Sequence, residues 1–122
     1  MPQNLKIDYI ELPAADFTAI QDFYSNVFGW TFESWGDQYL AFNDGRLDGG
    51  FYKTGPELCS NTITGAALVI FYASDLEAVH EAVVKAGGTI LKPTFDFPGG
   101  RRFQFADPHG NELAVWTDDK AG

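Results

Sequence analysis

Few side chains in this sequence belong to the types that do covalent or acid–base chemistry. There are two histidines, His80 and His109, and one cysteine, Cys59. Cys59 has no histidine or acid nearby in the sequence that would mark it as a nucleophile. Glu11 follows Tyr9 by two residues in a strand-like segment, so their side chains would share one face of a strand. A carboxyl group held there among apolar neighbours could anchor a polar ligand group or move a proton.

Two further groups of polar residues have both a functional and a structural interpretation. Arg101 and Arg102 follow a flexible Pro-Gly-Gly segment, where they could reach an anionic ligand or form a solvated charge pair. His80 falls on the polar side of a predicted helix and is expected to face solvent. His109 occupies a turn that asks only for a turn-tolerant residue, so neither histidine is expected to be catalytic. The chain has no glycine-rich phosphate loop, G-x-S-x-G motif or H-E-x-x-H motif.

Composition limits the class of protein. A length of 122 residues suits one domain, assigned to residues 1–122. The net charge of -9 repels phosphate backbones and anionic lipid headgroups, so no nucleic acid and no membrane is expected as a partner. The single cysteine excludes an internal disulfide, and no apolar run approaches the roughly 18 residues of a membrane span. A cytoplasmic protein is therefore expected. The aromatic content of 16% is high for so small a domain and suggests more than a minimal core.

An internal repeat organises the chain. Residues 16–29 align with residues 75–88 at an offset of 59, and each segment begins with Asp and ends with Gly. Both have apolar residues at helical spacing after an aspartate that can cap a helix. Ser74 and Glu77 could add a capping box to the second helix. Strand-like segments flank the helices at 6–12, 31–33, 39–42 and 47–52 in the first half and at 67–73, 89–92, 102–106 and 112–117 in the second.

The repeat predicts an α+β domain made of two β-α-β-β-β modules. The first module covers about residues 5–53, the second about residues 65–118, and a polar linker at 54–64 joins them. Towards the end of each module the offset grows to 65, which aligns Gly45 with Gly110. The added residues fall in loops, where insertions are tolerated.

Three segments carry a resemblance to a known family. They are Ile10-Glu-Leu-Pro-Ala-Ala-Asp16, Phe23-Tyr-Ser-Asn-Val-Phe-Gly-Trp30 and Phe105-Ala-Asp-Pro-His-Gly-Asn111. The chain resembles the vicinal oxygen chelate superfamily, which includes glyoxalase I, bleomycin-resistance proteins and extradiol dioxygenases. The resemblance implies two modules that form a curved, U-shaped mixed sheet with the helices on the outside and a small-molecule trough inside. Members commonly bind a divalent metal in that trough.

The resemblance also locates the positions of the family's metal ligands. They come from the first and last strands of each module and fall here on Tyr9, Gly49, Leu68 and Ala114. Gly, Leu and Ala side chains cannot coordinate a metal, and a neutral tyrosine is an uncommon ligand. We therefore expect no metal and no cofactor. If the alignment were in error by two residues, the carboxylates of Glu11 and Glu112 would occupy ligand positions. Two carboxylates are too few for a catalytic metal site.

The same positions outline the expected ligand-binding trough. Side-chain alternation along each strand adds neighbours to the four ligand positions. The expected lining is Tyr9, Glu11, Gly49, Phe51, Leu68, Ile70, Arg102, Glu112, Ala114 and Trp116, with Glu11 and Tyr9 as candidate catalytic residues. The aromatic members of this set could equally be ordinary core residues.

Three functions stay open on these grounds. The first is a glyoxalase-like, metal-independent protein that binds a small organic ligand, similar to the bleomycin-resistance branch. The second is a lyase or isomerase related to lactoylglutathione lyase, in which Glu11 or Tyr9 replaces metal activation. The third is a protein-interaction module. A homodimer is expected because the resemblance implies one and exposed sheet edges invite pairing. Whether the modules pair within one chain or between two chains is left open.

Overall fold

The computed structural model describes residues 2–118, which form two modules with the same order of elements. The first contains β1 (Tyr9–Ala14), α1 (Phe17–Phe28), β2 (Thr31–Ser34), β3 (Tyr39–Asn43) and β4 (Asp48–Lys53). The second contains β5 (Val69–Tyr72), α2 (Leu76–Lys85), β6 (Thr89–Phe97), β7 (Gly100–Ala106) and β8 (Glu112–Thr117). The predicted α+β class and β-α-β-β-β modules are confirmed. The predicted domain limits at residue 1 and at 119–122 lie outside the described residues.

Each module forms its own four-stranded mixed sheet. The strand order is β1-β4-β3-β2 in the first sheet and β5-β8-β7-β6 in the second. In both sheets the first strand of the module pairs in parallel with the last, and the other pairs are antiparallel. In one continuous U-shaped sheet β1 and β5 would be neighbours, but within residues 2–118 no ladder joins them. Each sheet therefore has one edge formed by the first strand of its module.

Both helices begin where the repeat places them, but α2 ends at Lys85, two residues before the position equivalent to the end of α1. Asp16 caps α1 and Asp75 caps α2, because each carboxylate accepts a hydrogen bond of 3.1 Å from the backbone N–H three residues later. α1 ends at Phe28, and its C-cap Gly29 has a φ of 72°, the left-handed conformation that favours glycine. Neither helix of the described chain is long and apolar enough to cross a membrane.

The predicted capping box does not form. Asp75, rather than Ser74, is the N-cap of α2, so Glu77 lies too early in the helix to complete a box with Ser74. Glu77 instead makes an ion pair with Arg101 of β7, and the hydrogen bond from Arg101 lowers the pKa of the Glu77 carboxyl. The pair fastens the start of α2 to the second sheet.

One aromatic core joins the two modules. Phe28 of α1 stacks on Phe71 of β5 with ring centroids 4.2 Å apart, and Tyr24 of α1 lies 5.6 Å from Phe51 of β4. α1 thus contacts both sheets. The aromatic residues buried in this core are Phe23, Tyr24, Trp30, Phe42, Phe51, Phe103 and Phe105. Much of the high aromatic content is therefore core.

The turn between β7 and β8 ties the modules together through polar groups. Buried Asp107 accepts three backbone N–H bonds within its own turn and a 2.8 Å bond from the Tyr24 hydroxyl of α1. Asn111 donates to the carbonyl of Pro13 in β1 at 2.8 Å and accepts from the N–H of Ser60 at 2.9 Å. Burial raises the pKa of Asp107, although its hydrogen bonds oppose that effect. This turn is a structural joint between β1, α1, the linker and β8.

Several strand limits differ from the predicted ones. β6 was predicted to end at residue 92 but continues to Phe97, and its register with β7 shifts on both sides of Lys92. Pro93 lies in this irregular stretch, which an edge strand tolerates because one side of its backbone needs no ladder partner. β1 and β5 begin later than predicted, at Tyr9 and Val69.

Candidate functional site

The two faces of each sheet differ in what covers them. We call the face packed on the helices the helix face and the opposite one the outer face. Side chains alternate along a strand, and cross-strand partners share a face, so the pairing register assigns each residue to one of the two. Leu12, Phe51 and Phe103 lie on helix faces and are buried, whereas Tyr9 and Tyr72 lie on outer faces with 42% and 55% of their surface exposed. The outer faces are therefore the surfaces where a ligand could meet side chains from the strands.

Three polar side chains form a chain of hydrogen bonds on the outer face of the first sheet. Tyr39 of β3 donates to Oε2 of Glu11 at 2.9 Å, and the hydroxyl oxygens of Tyr9 and Tyr39 are 2.6 Å apart. Because Tyr39 uses its only proton towards Glu11, Tyr9 must donate in the second bond. Burial, followed by the hydrogen bonds to Tyr9 and Glu11, raises the pKa of Tyr39. The donors therefore run in one direction, from the phenol of Tyr9 through Tyr39 to the carboxylate of Glu11.

A glycine makes room for this cluster. A Cβ on Gly50 would lie 2.0 Å from the hydroxyl oxygen of Tyr39. Gly50 pairs with Glu11 of β1 on one side and with Ala41 of β3 on the other, so it lies on the outer face. Tyr39 was not among the predicted site residues because no motif marks it. The signal that could have indicated Tyr39 is the glycine at position 50 in the neighbouring strand, which leaves room for a bulky side chain.

Gly49 and Phe51 lie on the helix face, so their predicted places in the trough are wrong. Phe51 is fully buried, and its ring centroid lies 6.4 Å from that of Trp30. A Cβ on Gly49 would lie 2.1 Å from Cζ of Phe42, another core residue. Both positions therefore serve packing between the first sheet and α1.

The misplacement arises in the turns before the last strands. β4 begins three residues after Gly45, whereas β8 begins two residues after Gly110. Aligning these glycines therefore overestimates the offset between the two strands by one residue. A slip of one residue moves every side chain to the opposite face. Gly50, rather than Gly49, is the residue that shares a face with Glu11.

Glu112 lies on the outer face of the second sheet, but both oxygens of its carboxylate already have partners. Oε1 accepts from the backbone N–H and the hydroxyl of Thr62 at 2.9 and 2.8 Å, and Oε2 accepts from Gln104 at 2.6 Å. Burial acts to raise the pKa of Glu112, but these hydrogen bonds outweigh it and lower the pKa. The visible role of Glu112 is to fasten the linker to β8.

The other predicted residues of the second sheet share the outer face. Ile70 pairs with Ala114, and Arg102 pairs with Trp116. Ile70 is exposed, Arg102 and Trp116 are half-buried, and Ala114 is fully buried. Leu68 lies one residue before β5 and is half-buried.

Arg102 is held in place by two neighbours on this face. Its Nη2 donates to Oε1 of Gln104 at 2.9 Å, and its guanidinium carbon lies 5.4 Å from the ring centroid of Phe95. Gln104 in turn donates to Glu112. Gln104 was not among the predicted residues, although its position two residues after Arg102 on one strand marks it as a neighbour on the same face.

Both histidines have structural contacts. His80 does not point at solvent as expected, because it is half-buried and its ring packs edge to face on Phe103 at 4.8 Å. Nδ1 of His109 accepts from the N–H of Ala15 at 3.2 Å, and Nε2 lies 2.6 Å from the carbonyl oxygen of Leu58. This pattern suits the neutral tautomer with the proton on Nε2. His109 therefore bridges the β1–α1 connection and the linker.

The residues at the family's ligand positions do not fit a metal ion. With the register corrected, these positions are Tyr9, Gly50, Leu68 and Ala114. Only Tyr9 offers a side-chain donor atom, and its phenol is a poor ligand while protonated. In the part of the chain from residue 2 to 118, no three His, Cys, Asp or Glu side chains form a group that could hold a metal ion.

Two surface clefts lie away from the outer faces. A cleft of about 420 Å³ lies between the start of α1 and the β2–β3 turn, with Asp16, Asp37 and Lys53 in its wall. A second one, of about 160 Å³, is lined in part by Pro56 and His109. Neither contains a residue of the predicted site.

The fold and the sequence place the chain in a known family. Residues 6–115 match the Glyoxalase/Bleomycin resistance protein/Dioxygenase superfamily. The chain belongs to this family, and the predicted resemblance is confirmed.

Individual relatives differ in how much of their length the chain covers. Anthracycline biosynthesis protein DauV from Streptomyces sp. (strain C5) is 30% identical over 124 residues, which cover 88% of this chain and 45% of DauV. The chain thus spans about half the length of DauV. A glyoxylase-like domain-containing protein from Didymella fabae is 32% identical over 123 residues, which cover 92% of this chain and 93% of that protein.

One solved structure shows the likeness of fold. It is a mutant of the fosfomycin resistance protein FosX from Listeria monocytogenes, complexed with Mn(II) and dihydroxypropylphosphonic acid. It aligns with a TM-score of 0.78 and 15% identity over 93% of this chain and 90% of that chain. At this identity the comparison concerns the fold alone.

Proposed function

We propose that this protein is a glyoxalase-like protein that binds a small organic molecule on the outer faces of its sheets without a metal ion. The observation that carries this proposal is the chain of hydrogen bonds Tyr9–Tyr39–Glu11. The polar cluster around Asp107, by contrast, is buried and joins elements of both modules. The Tyr9–Tyr39–Glu11 cluster instead lies on a partly exposed surface beside aromatic rings. Small-molecule sites typically combine such apolar walls with a few polar anchors.

The named relatives support the class of ligand. DauV is named for anthracycline biosynthesis and FosX for fosfomycin resistance, and both names refer to small organic molecules. The relation to DauV concerns 45% of its length, so the activity of the whole DauV protein is not carried over. The family membership supports a small-molecule ligand, while its identity is set by the residues of the outer faces.

An enzymatic function of the lyase or isomerase type is the second candidate, and the direction of the hydrogen bonds favours it. The Tyr9 oxygen could accept a proton from a bound carbonyl compound while Tyr9 passes its own proton to Tyr39 and Tyr39 passes its proton to Glu11. Glu11 would then act as the general base through two phenols. Proton removal next to a carbonyl is the first step of many lyase and isomerase reactions. The hydrogen-bonded residues Tyr9, Tyr39 and Glu11 would supply a base for this step without a metal.

The binding proposal is tested by a thermal-shift screen of aromatic acids, phenols and carbonyl compounds. A ligand that binds the folded state raises the Tm. We expect the rise to disappear in Glu11→Gln and to persist in Glu81→Gln, which changes an exposed carboxylate of α2. Unchanged affinity and turnover in Glu11→Gln would exclude this site. Stoichiometric nickel or zinc in the purified protein would overturn the metal-independent function, and turnover that Tyr39→Phe abolishes would favour the enzyme.

We further propose that a second copy of the chain covers the edges formed by β1 and β5. Ile7 just before β1 is 83% exposed, and Ile70 and Tyr72 of β5 are 44% and 55% exposed. Both strands have an edge without a ladder partner in residues 2–118. Unpaired edges with apolar side chains favour association, and a second copy brings the same surfaces. A homodimer therefore accounts for the exposed side chains that would otherwise suggest a general protein-interaction module.

The dimer is tested by sedimentation velocity at micromolar concentration. We expect a dimer for the wild type, dissociation in Ile70→Lys, and no change in Val84→Lys, which adds the same charge to an exposed position on α2. A wild-type protein that sediments as a monomer up to millimolar concentration would exclude the dimer.

A further inference from the structure

The outer face of the second sheet contains an arginine with more N–H donors than acceptor partners. A guanidinium has five N–H donors. Arg102 uses Nη2 towards Gln104, while its Nε is shielded from solvent and has no hydrogen-bond partner in residues 2–118. Shielded donors without a partner are rare in folded proteins, and a missing ligand is one of the physical reasons for them. Arg102 thus has donors that residues 2–118 leave without an acceptor.

The guanidinium is held before any ligand arrives. Gln104 can accept from Arg102 because its own amide donates to Glu112, and Glu112 is fixed by two bonds from Thr62. Phe95 packs against the cation from the neighbouring strand. A side chain held in this way loses little conformational entropy on binding, so its remaining donors are available at low cost.

A second cation lies on this face. Lys92 pairs with Gln104 and therefore lies on the same face as Arg102. The carboxylate of Glu112 accepts three hydrogen bonds from other groups and does not pair with Arg102 directly. Asp118 adds a second carboxylate, which accepts from the Tyr72 hydroxyl at 2.8 Å. These two cations and two carboxylates balance, so an anion would be held by the guanidinium donors of Arg102 rather than by an excess of positive charge.

Aromatic rings flank the arginine on both sides. Phe95 is the partner of Arg102 in β6, and Trp116 is its partner in β8. Both rings are half-buried on the outer face, and Trp116 also contacts Tyr72 at a centroid distance of 5.3 Å. Flat apolar walls on either side of a cation suit a ligand with an aromatic body and an anionic group.

We propose that Arg102 binds the carboxylate of an aromatic organic acid whose ring lies between Phe95 and Trp116. This inference rests on the proposed function, since it names the class of ligand for the same outer faces. The anion would take guanidinium donors that Gln104 leaves unused, and the ring would cover the flanking aromatic side chains. The ligand class is thus defined by a planar apolar body and one negative charge.

The test compares two probes of nearly the same shape, one anionic and one neutral. Naphthalene-2-carboxylate and its neutral amide are titrated into the wild-type protein by isothermal calorimetry. We expect the carboxylate to bind at least about tenfold more tightly than the amide, the order expected for a hydrogen bond to a charged group. Arg102→Met, which keeps the unbranched apolar part of the side chain and removes the guanidinium group with its charge, should abolish this preference. Arg46→Met, in the turn between β3 and β4, is the matched control and should retain it.

Each other outcome has a separate meaning. Equal binding of both probes to the wild type would overturn the role of Arg102 and leave the proposed small-molecule site intact. A preference that persists in Arg102→Met would place the anion elsewhere and likewise overturn the inference. Binding of neither probe would contradict both the inference and a site for aromatic ligands. Far-ultraviolet circular dichroism and the Tm of Arg102→Met establish that the variant is folded.

Discussion

Asn111 shows how a single polar residue can hold distant parts of this chain together. Its side chain is fully buried, donates to the Pro13 carbonyl of β1 and accepts from the Ser60 N–H of the linker. Its second donor bond goes to Asp107, which also accepts from Tyr24 of α1. The Asp-Pro-His-Gly-Asn segment, which carries part of the family resemblance, therefore has a structural role: its contacts join β1, α1 and the linker.

Replacing Asn111 by Ala is expected to lower the free energy of unfolding by about 2–4 kcal/mol. The reason is that the Pro13 carbonyl and the Ser60 N–H lose their partner in a buried position. Urea denaturation measures the change. Asn26→Ala, at an exposed position of α1, is the control and should change the stability by less than about 0.5 kcal/mol. A loss in Asn111→Ala no greater than in the control would contradict the proposed joint.

At the scale of elements, β4 decides what the first sheet presents on each face. It contains two adjacent glycines with opposite surroundings. Gly49 faces the ring of Phe42, and Gly50 faces the hydroxyl of Tyr39. The strand thus allows an aromatic ring to approach its backbone from both sides. The sequence shows the two glycines but not which of them lies on the outer face.

Alanine at these two positions is expected to have different effects. In Gly49→Ala the new Cβ would meet Phe42 at 2.1 Å and the carbonyl oxygen of Ile10 at 2.5 Å, and backbone cannot yield easily. The expected loss of stability is at least about 2 kcal/mol. In Gly50→Ala only the end of Tyr39 must move, so the loss should stay below about 1 kcal/mol.

The same pair of variants tests the outer-face site. Gly50→Ala displaces the Tyr39 hydroxyl from Glu11, so ligand binding detected by thermal shift should weaken although the fold is kept. Thermal and urea unfolding of both variants, with a binding titration of Gly50→Ala, gives the comparison. If Gly50→Ala were the more destabilising change, the register of β4 described above would be wrong.

At the scale of the whole molecule, the linker is held by a carboxylate whose ionised form the fold favours. Glu112 receives two hydrogen bonds from Thr62 and one from Gln104, and its pKa in the folded protein is lowered. The stability that Glu112 contributes is therefore present above its unfolded pKa of about 4.3. It is lost as the pH falls through the lower pKa of the folded state. Asp107 acts in the opposite sense, because its pKa is raised and its contribution is lost as the pH rises.

We expect Glu112→Gln to flatten the acid side of the stability profile. In the wild type the free energy of unfolding should fall between about pH 5 and pH 3, in part because Glu112 becomes protonated. The variant lacks this titration, so its slope should be smaller in that range. Thr62→Val removes one donor to Glu112 and should reduce the slope by less. Urea denaturation at half-unit pH intervals measures all three proteins, and identical slopes would refute the role of Glu112.

The sequence alone determined the elements and their order. Apolar spacing, capping aspartates and glycines at turns are local signals, and the repeat supplied each of them twice, so the two modules and both helices could be predicted. The residue types at the resembled positions also led to the expectation that no metal binds there. The resemblance placed Tyr9 in the trough, and alternation along one strand then placed Glu11 on the same face without knowledge of the partner strand.

Only the tertiary structure decided which residues share a face across strands. The face of Gly49 and Phe51 depends on a turn one residue longer in the first module, and such a difference reverses every side chain of the strand. Tyr39 and Gln104 acquire their roles through partners on other strands. His80 lies against Phe103 because the packing of α2 on β7 sets its burial. Contacts between residues far apart in the chain depend on register and packing, which the local pattern of residues does not encode.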